Sequence, residues 1–199
     1  MMTRREMFQV CAGLAASPAV MAAANATGID AGRKHVLRAV LVDRSSEARV
    51  FAEAVRTRGL AVHELGSDLG DVYTGELAPC WRREGAAPIA GLTAAAPLFY
   101  LERLAWDAGM RVVFLGRHVL ESPMRHTVDG PRDAVDAFQV TARVIDWRIA
   151  LANLLPALPA SAPTLEPLSA VRDAFIGEDP ALFSWVLAPV DRASRKVLR

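Results

Sequence analysis

The chain has little of what most specialised protein classes need. Cysteine occurs twice in 199 residues, and charge is almost balanced, with 23 Lys and Arg against 22 Asp and Glu for a formal net charge of +1. No stretch forms a basic stripe suited to nucleic-acid phosphates, so no nucleic-acid partner is expected. No Gly-x-Gly-x-x-Gly follows the first predicted strand and no Walker loop occurs, which argues against a standard dinucleotide or nucleoside triphosphate site. Cys-x-x-Cys and His-x-x-x-His spacings are missing as well, so no cofactor or metal is recognisable from motifs. Internal repeats and low complexity are absent, and the 13 glycines and 12 prolines act as punctuation. What remains is 52 % hydrophobic and 23 % charged, too apolar for disorder and long enough to bury one sizeable core.

The first 26 residues differ from the rest. Thr3-Arg4-Arg5-Glu6-Met7-Phe8-Gln9 leads into an alanine-rich apolar run from Val10 to Ala24, and Ala24-Asn25-Ala26 is a small-x-small cleavage site. That run is short of the roughly 20 apolar residues a membrane span needs, and Pro18 interrupts it. The segment resembles the bacterial twin-arginine (Tat) signal peptide, Ser/Thr-Arg-Arg-x-Phe-Leu-Lys, with Met7 at the Phe position, Phe8 at Leu and Gln9 at Lys. A general secretory signal carrying two arginines, or an uncleaved amphipathic helix, are the other readings. Cys11 has no lipobox before it. The resemblance implies export to the periplasm, cleavage near Ala26 and no stable membrane span afterwards. Cleavage would remove two arginines and one glutamate, leave a net charge of zero, and leave Cys80 as the sole cysteine, expected to be buried.

Beyond the signal, the pattern predicts an α/β fold of Rossmann-like or flavodoxin-like type. Val36–Val42 is an aliphatic run suited to a strand buried on both faces. Ser45 or Ser46 would cap a helix with Val50, Phe51, Ala54 and Val55 inward, Gly59 would end it, and Leu60–Leu65 would be the second strand. Residues 66–85 read as a helical or irregular crossover broken near Gly75 and Pro79. Pro88–Thr93 reads as a strand, Ala94–Ala108 as a helix stopped by Gly109, and Arg111–Leu115 as the fourth strand. A hairpin would pair His118-Val119 with Arg125–Val128 around Glu121–Met124. This succession predicts a small, mostly parallel sheet of order about 2-1-3-4 with flanking helices. Residues 27–130 would form that domain. Residues 131–199 would form a helical and Pro-rich extension packing on the domain or on a partner. It would comprise a long helix over 133–155, an extended stretch through Pro156, Pro159, Pro163 and Pro167, and a last helical piece with Phe175, Leu182, Phe183, Trp185 and Val186.

In such a sheet, ligands bind beyond the carboxyl ends of the strands, where the connections diverge. The residues gathered there would be Asp43, Arg44, Ser45, Ser46, Gly91, Thr93, Arg117 and His118, with two helix N-termini favouring an anionic group. Asp43 and Ser45 are also common strand-end and cap residues. Gly91-Leu92-Thr93 falls short of a nucleophile elbow, with Thr in place of Ser and Ala95 in place of the second glycine. Trp81, in the irregular crossover beside Cys80 and Arg82-Arg83, is a further candidate contact residue. His118 and His126 would be cross-strand neighbours with Asp129 close by, a weak metal candidate or plain strand residues. The acidic residues Asp68, Asp71 and Glu76 read as a solvated face.

Three functions are compatible with this pattern. Proteins resembling twin-arginine cargo cross the membrane folded, often with a cofactor or attached to a partner that carries one. The first reading is therefore an exported accessory or non-catalytic subunit, bound to a larger and redox-active periplasmic enzyme through its apolar C-terminal tail. The second is a small stand-alone periplasmic enzyme or anionic-ligand-binding domain using the strand-end crevice. The third is a metal-binding protein using His118 and His126.

Overall fold

The computed structural model describes residues 37–66, 69–83, 87–158 and 181–190. The export-signal segment, Asp68, and the Pro-rich stretch through Pro159, Pro163 and Pro167 with Phe175 lie outside the described residues. One six-stranded mixed sheet organises the rest. Its strands are β1 (Ala39–Val42), β2 (Val62–Glu64), β3 (Ile89–Thr93), β4 (Met110–Val119), β5 (Arg125–Asp129) and β6 (Ala181–Pro189), in the order β2-β1-β3-β6-β4-β5.

The β1-helix-β2 unit forms as its residues predict. Ser45 Oγ accepts from Ala48 N at 3.1 Å and so caps α1 (Ser46–Arg56), with Glu47 in the first turn. The helix buries Ala48, Phe51, Ala52 and Val55, whereas Val50 is exposed, so the inward stripe is rotated from the expected one. Gly59 follows with a φ of 74°, the left-handed conformation that only glycine adopts without a Cβ clash. β1 pairs in parallel with both β2 and β3.

Between β2 and β3 the chain is more regular than its glycine and proline suggest. Helix α2 (Leu69–Val72) runs into a π-helical turn (Tyr73–Leu77) and then α3 (Ala78–Arg83). Gly75 sits inside the π turn, and Pro79 is the second residue of α3, which follows that turn directly. Helix α4 (Ala95–Asp107) leads from β3 to β4 and ends at Gly109, with a φ of 75°.

The sheet departs from the expected one in order and in direction. β6 lies between β3 and β4, antiparallel to both, and β5 is antiparallel to β4. Among the described residues only the β1–β2 and β1–β3 pairings are parallel. Residues 182–186, expected to be helical, are the middle of this central strand, and residues 182–188 are buried. A strand covered on both faces shows no polar alternation, which is why an apolar run of this length reads equally well as helix. The long helix expected over 133–155 is two helices, α5 (Arg132–Thr141) and α6 (Trp147–Leu154). Asp146 separates them by accepting from Arg148 N at 2.9 Å as the N-cap of α6.

Helices cover both faces. Val40, Val42, Leu92, Val186 and Ala188 pack under α1, α5 and α6. Leu41, Ile89, Trp185 and Leu187 pack under α4 and the π turn. Each fully buried Leu, Ile or Phe side chain contributes about 1.5–3 kcal/mol of transfer free energy. A β-bulge between Val112 and Phe114 changes which way β4 faces. Before it, Met110 and Val112 point toward α4. After it, Phe114 belongs to the α1, α5 and α6 layer, and His118 follows by alternation.

Candidate functional site

Asp43, Ser45, Gly91 and Thr93 do meet at the carboxyl ends of β1 and β3, but their polar side chains are taken up within the fold. Asp43 Oδ1 accepts from Ser45 N at 2.9 Å, and Asp43 Oδ2 accepts from Ala94 N at 3.1 Å, 51 residues away. The aspartate thus clamps the β1–α1 turn to the start of α4 and places its own carboxylate at the two helix N-termini. Ser45 is engaged as the α1 cap. Thr93 is fully buried, accepts from Trp185 Nε1 at 3.1 Å and donates to Ala94 O at 3.0 Å. Gly91 makes room for that indole: a Cβ there would lie 2.3 Å from Trp185 Cζ2 and 2.6 Å from Leu41 O. Arg44 and Ser46 are exposed, and Ser46 donates to Glu47 Oε2 at 2.8 Å.

Arg117 and His118 do not join this group. β6 separates β4 from β3, a displacement of about 10 Å at ordinary strand spacing. Arg117 is opposite Phe183 and Thr127, with its Nε buried and unpartnered among the described residues. His118 projects to the other face. The crevice imagined from a 2-1-3-4 order is therefore divided by a strand.

His118 instead anchors a polar chain that sequence spacing only half reveals. It sits directly opposite His126 in the β4–β5 ladder, as the hairpin reading requires. The two Nδ1 atoms are 2.9 Å apart, and His118 Nε2 lies 2.8 Å from Ser184 Oγ. Ser184 and His118 are fully buried, while His126 is exposed. Rings close the cluster: Trp147 stacks on His118 at 4.4 Å between centroids, and Phe138 lies edge-on at 6.1 Å. Burial first, and His126 second, push the His118 pKa from 6.5 down to about 3, so the ring is neutral. Burial lowers the pKa of His126 too. In the neutral ring one nitrogen donates and the other accepts, so the proton runs from Ser184 toward His126 or the reverse. Gly116 permits the contact, because a Cβ there would lie 2.4 Å from Ser184 Oγ and 2.9 Å from His118 Nε2.

Hydroxyl, imidazole and second imidazole form the connectivity of an activated nucleophile. Ser184, however, lies in the middle of the sheet with no exposed surface, so in this conformation the chain is a packed polar network. Ser184 itself escaped the sequence reading because it lies 66 residues from His118 in a run expected to be helical. Asp129 lies three residues along β5 from His126, hence on the opposite face, and pairs with Leu115. Among the described residues no group of three or more His, Cys, Asp or Glu is arranged to hold a metal.

Two further features complete the picture. Trp81 lies on α3 in the α4-side layer, edge-on to Tyr73 at 6.0 Å, next to the buried Cys80. On the outward face of α4, Phe99, Tyr100 and Trp106 are exposed, Tyr100 by 60 %. The Arg103 guanidinium stands over the Phe99 ring at 5.4 Å and over Trp106 at 4.3 Å, and Arg111 stands over Trp106 at 4.8 Å. Of the acidic residues near β2, Asp71 and Glu76 are exposed, and Glu76 pairs with His63 at 3.1 Å. No helix among the described residues is long and apolar enough to cross a membrane. The chain matches no protein-family model, no curated protein and no solved structure.

Proposed function

We propose that this chain is an exported accessory subunit that docks on a larger periplasmic enzyme through the outward face of α4. The observation that carries the reading is the row Phe99, Arg103, Trp106 and Arg111, in which aromatic rings and guanidinium groups alternate on the surface. Aromatic side chains and arginine are the residue types enriched at interface centres, and the cation–π stacking orders them before any partner arrives. Long side chains held in place lose less entropy on binding. The resemblance of residues 3–9 to a twin-arginine signal favours a folded, cofactor-bearing oxidoreductase as the partner class. The strand-end crevice gives less support to a ligand site, since Asp43 already supplies an anion to both helix starts.

A photo-cross-linking residue placed at Tyr100 in cells of the native host tests this. The expected result is one periplasmic adduct to an exported enzyme, lost when Trp106→Ala and Arg103→Ala are introduced together. An unadducted monomer in the periplasm, or an adduct unaffected by that double change, would overturn the reading. Replacing Arg4 and Arg5 by lysine tests the export step separately, with retention in the cytosol expected.

A further inference from the structure

A cavity of about 470 Å³ opens between the π turn, α3 and the carboxyl end of α4. It lies at the far end of α4 from Thr93, about 20 Å along a 13-residue helix. Tyr73 and Trp81 form an aromatic wall, and Leu104 and Ala108 add apolar surface. Arg82 and Asp107, both exposed, bring one positive and one negative charge to the same lining. Neither forms an ion pair among the described residues. Trp81 is more than nine-tenths buried, and its Nε1, which has no exposed surface, has no hydrogen-bond partner among the described residues. The π-helical turn that supplies Tyr73 points the same way, because such insertions are frequent at functional sites.

We infer that this cavity binds a small zwitterion with an apolar body, an α-amino acid bearing an apolar or aromatic side chain. The volume falls in the small-ligand range of about 300–1,000 Å³. The side chain lies against Tyr73, Trp81 and Leu104, where burial of apolar area drives binding. The α-carboxylate meets Arg82 and the α-ammonium meets Asp107. This site is independent of the α4 docking row and uses different residues of that helix.

Calorimetric titration of the full chain with L-phenylalanine and L-leucine tests the assignment, with 3-phenylpropionate and phenethylamine as probes lacking the amine or the carboxylate. Saturable one-to-one binding of an amino acid is expected, with both truncated probes at least tenfold weaker. Arg82→Gln, at an exposed position, is expected to weaken the amino acid about tenfold and leave phenethylamine unchanged. Asp107→Asn, at an exposed helix end where folding is not at stake, is expected to weaken the amino acid and leave 3-phenylpropionate unchanged. No saturation by either amino acid at 10 mM would overturn the inference. So would equal binding of the truncated probes, or Asp107→Asn binding like the unaltered chain.

Discussion

Acid is expected to unfold this protein through His118 before its carboxylates matter. The ring is fully buried, and the groups around it are Ser184, His126, Phe138 and Trp147, none of which carries negative charge to hold an imidazolium. Its pKa is lowered from 6.5 to about 3 by burial first and His126 second. The unfolded chain therefore takes up this proton near pH 6.5 and the folded chain only near pH 3. His118's contribution is intact above the unfolded value and is lost progressively as pH falls from 6.5 toward 3. Each pH unit inside that window removes about 1.4 kcal/mol, so acidification from pH 7 to pH 5 removes about 2 kcal/mol, and the full window about 5 kcal/mol. His126, also lowered by burial, acts in the same direction. Urea denaturation followed by tryptophan fluorescence at pH 7, 6 and 5 measures the slope. His118→Gln is expected to start less stable and to lose most of the pH dependence. A loss below about 0.5 kcal/mol between pH 7 and pH 5, or an unchanged slope in His118→Gln, would refute the argument.

Other expectations rest on single contacts. Asp43→Ala releases Ser45 N and Ala94 N and is expected to cost about 2 kcal/mol, a fall in melting temperature of about 4–8 °C; an unchanged melt would mean the carboxylate is free for a ligand. Thr93→Val strands the buried Trp185 Nε1 and is expected to cost about 1–3 kcal/mol in denaturant titration, with Thr93→Ser largely neutral. Gly116→Ala drives a methyl to 2.4 Å from Ser184 Oγ and is expected to cost about 1–3 kcal/mol. The double variant Gly116→Ala with Ser184→Ala should recover part of that loss, a non-additivity that a denaturation cycle detects.

Much of the local structure was legible in the residues. Ser45, Gly59 and Gly109 mark helix ends for reasons confined to a few neighbouring residues, and the His118–His126 pairing follows from hairpin register. The candidate site was legible only in pieces. Asp43, Ser45 and Thr93 were expected together and are together, but the groups that satisfy them include Ala94 and Trp185, which local pattern does not associate with them. Trp81 stood out by its place in the crossover beside Cys80 and Arg82-Arg83; its cavity depends on how α3 meets the end of α4.

The amino-acid order by itself determined the α/β class, the first β-helix-β unit and the hairpin, because propensity, capping and short-range register act over a few residues. Only the tertiary structure decided that Ala181–Pro189 is a strand and that it enters between β3 and β4. A fully buried apolar run carries no periodicity to tell strand from helix, so its pairing with partners about 60 to 100 residues distant selects the conformation. The bulge after Val112 is of the same kind. One extra residue turns His118 toward Ser184 and away from α4, and nothing within ten residues of that histidine specifies the serine it meets.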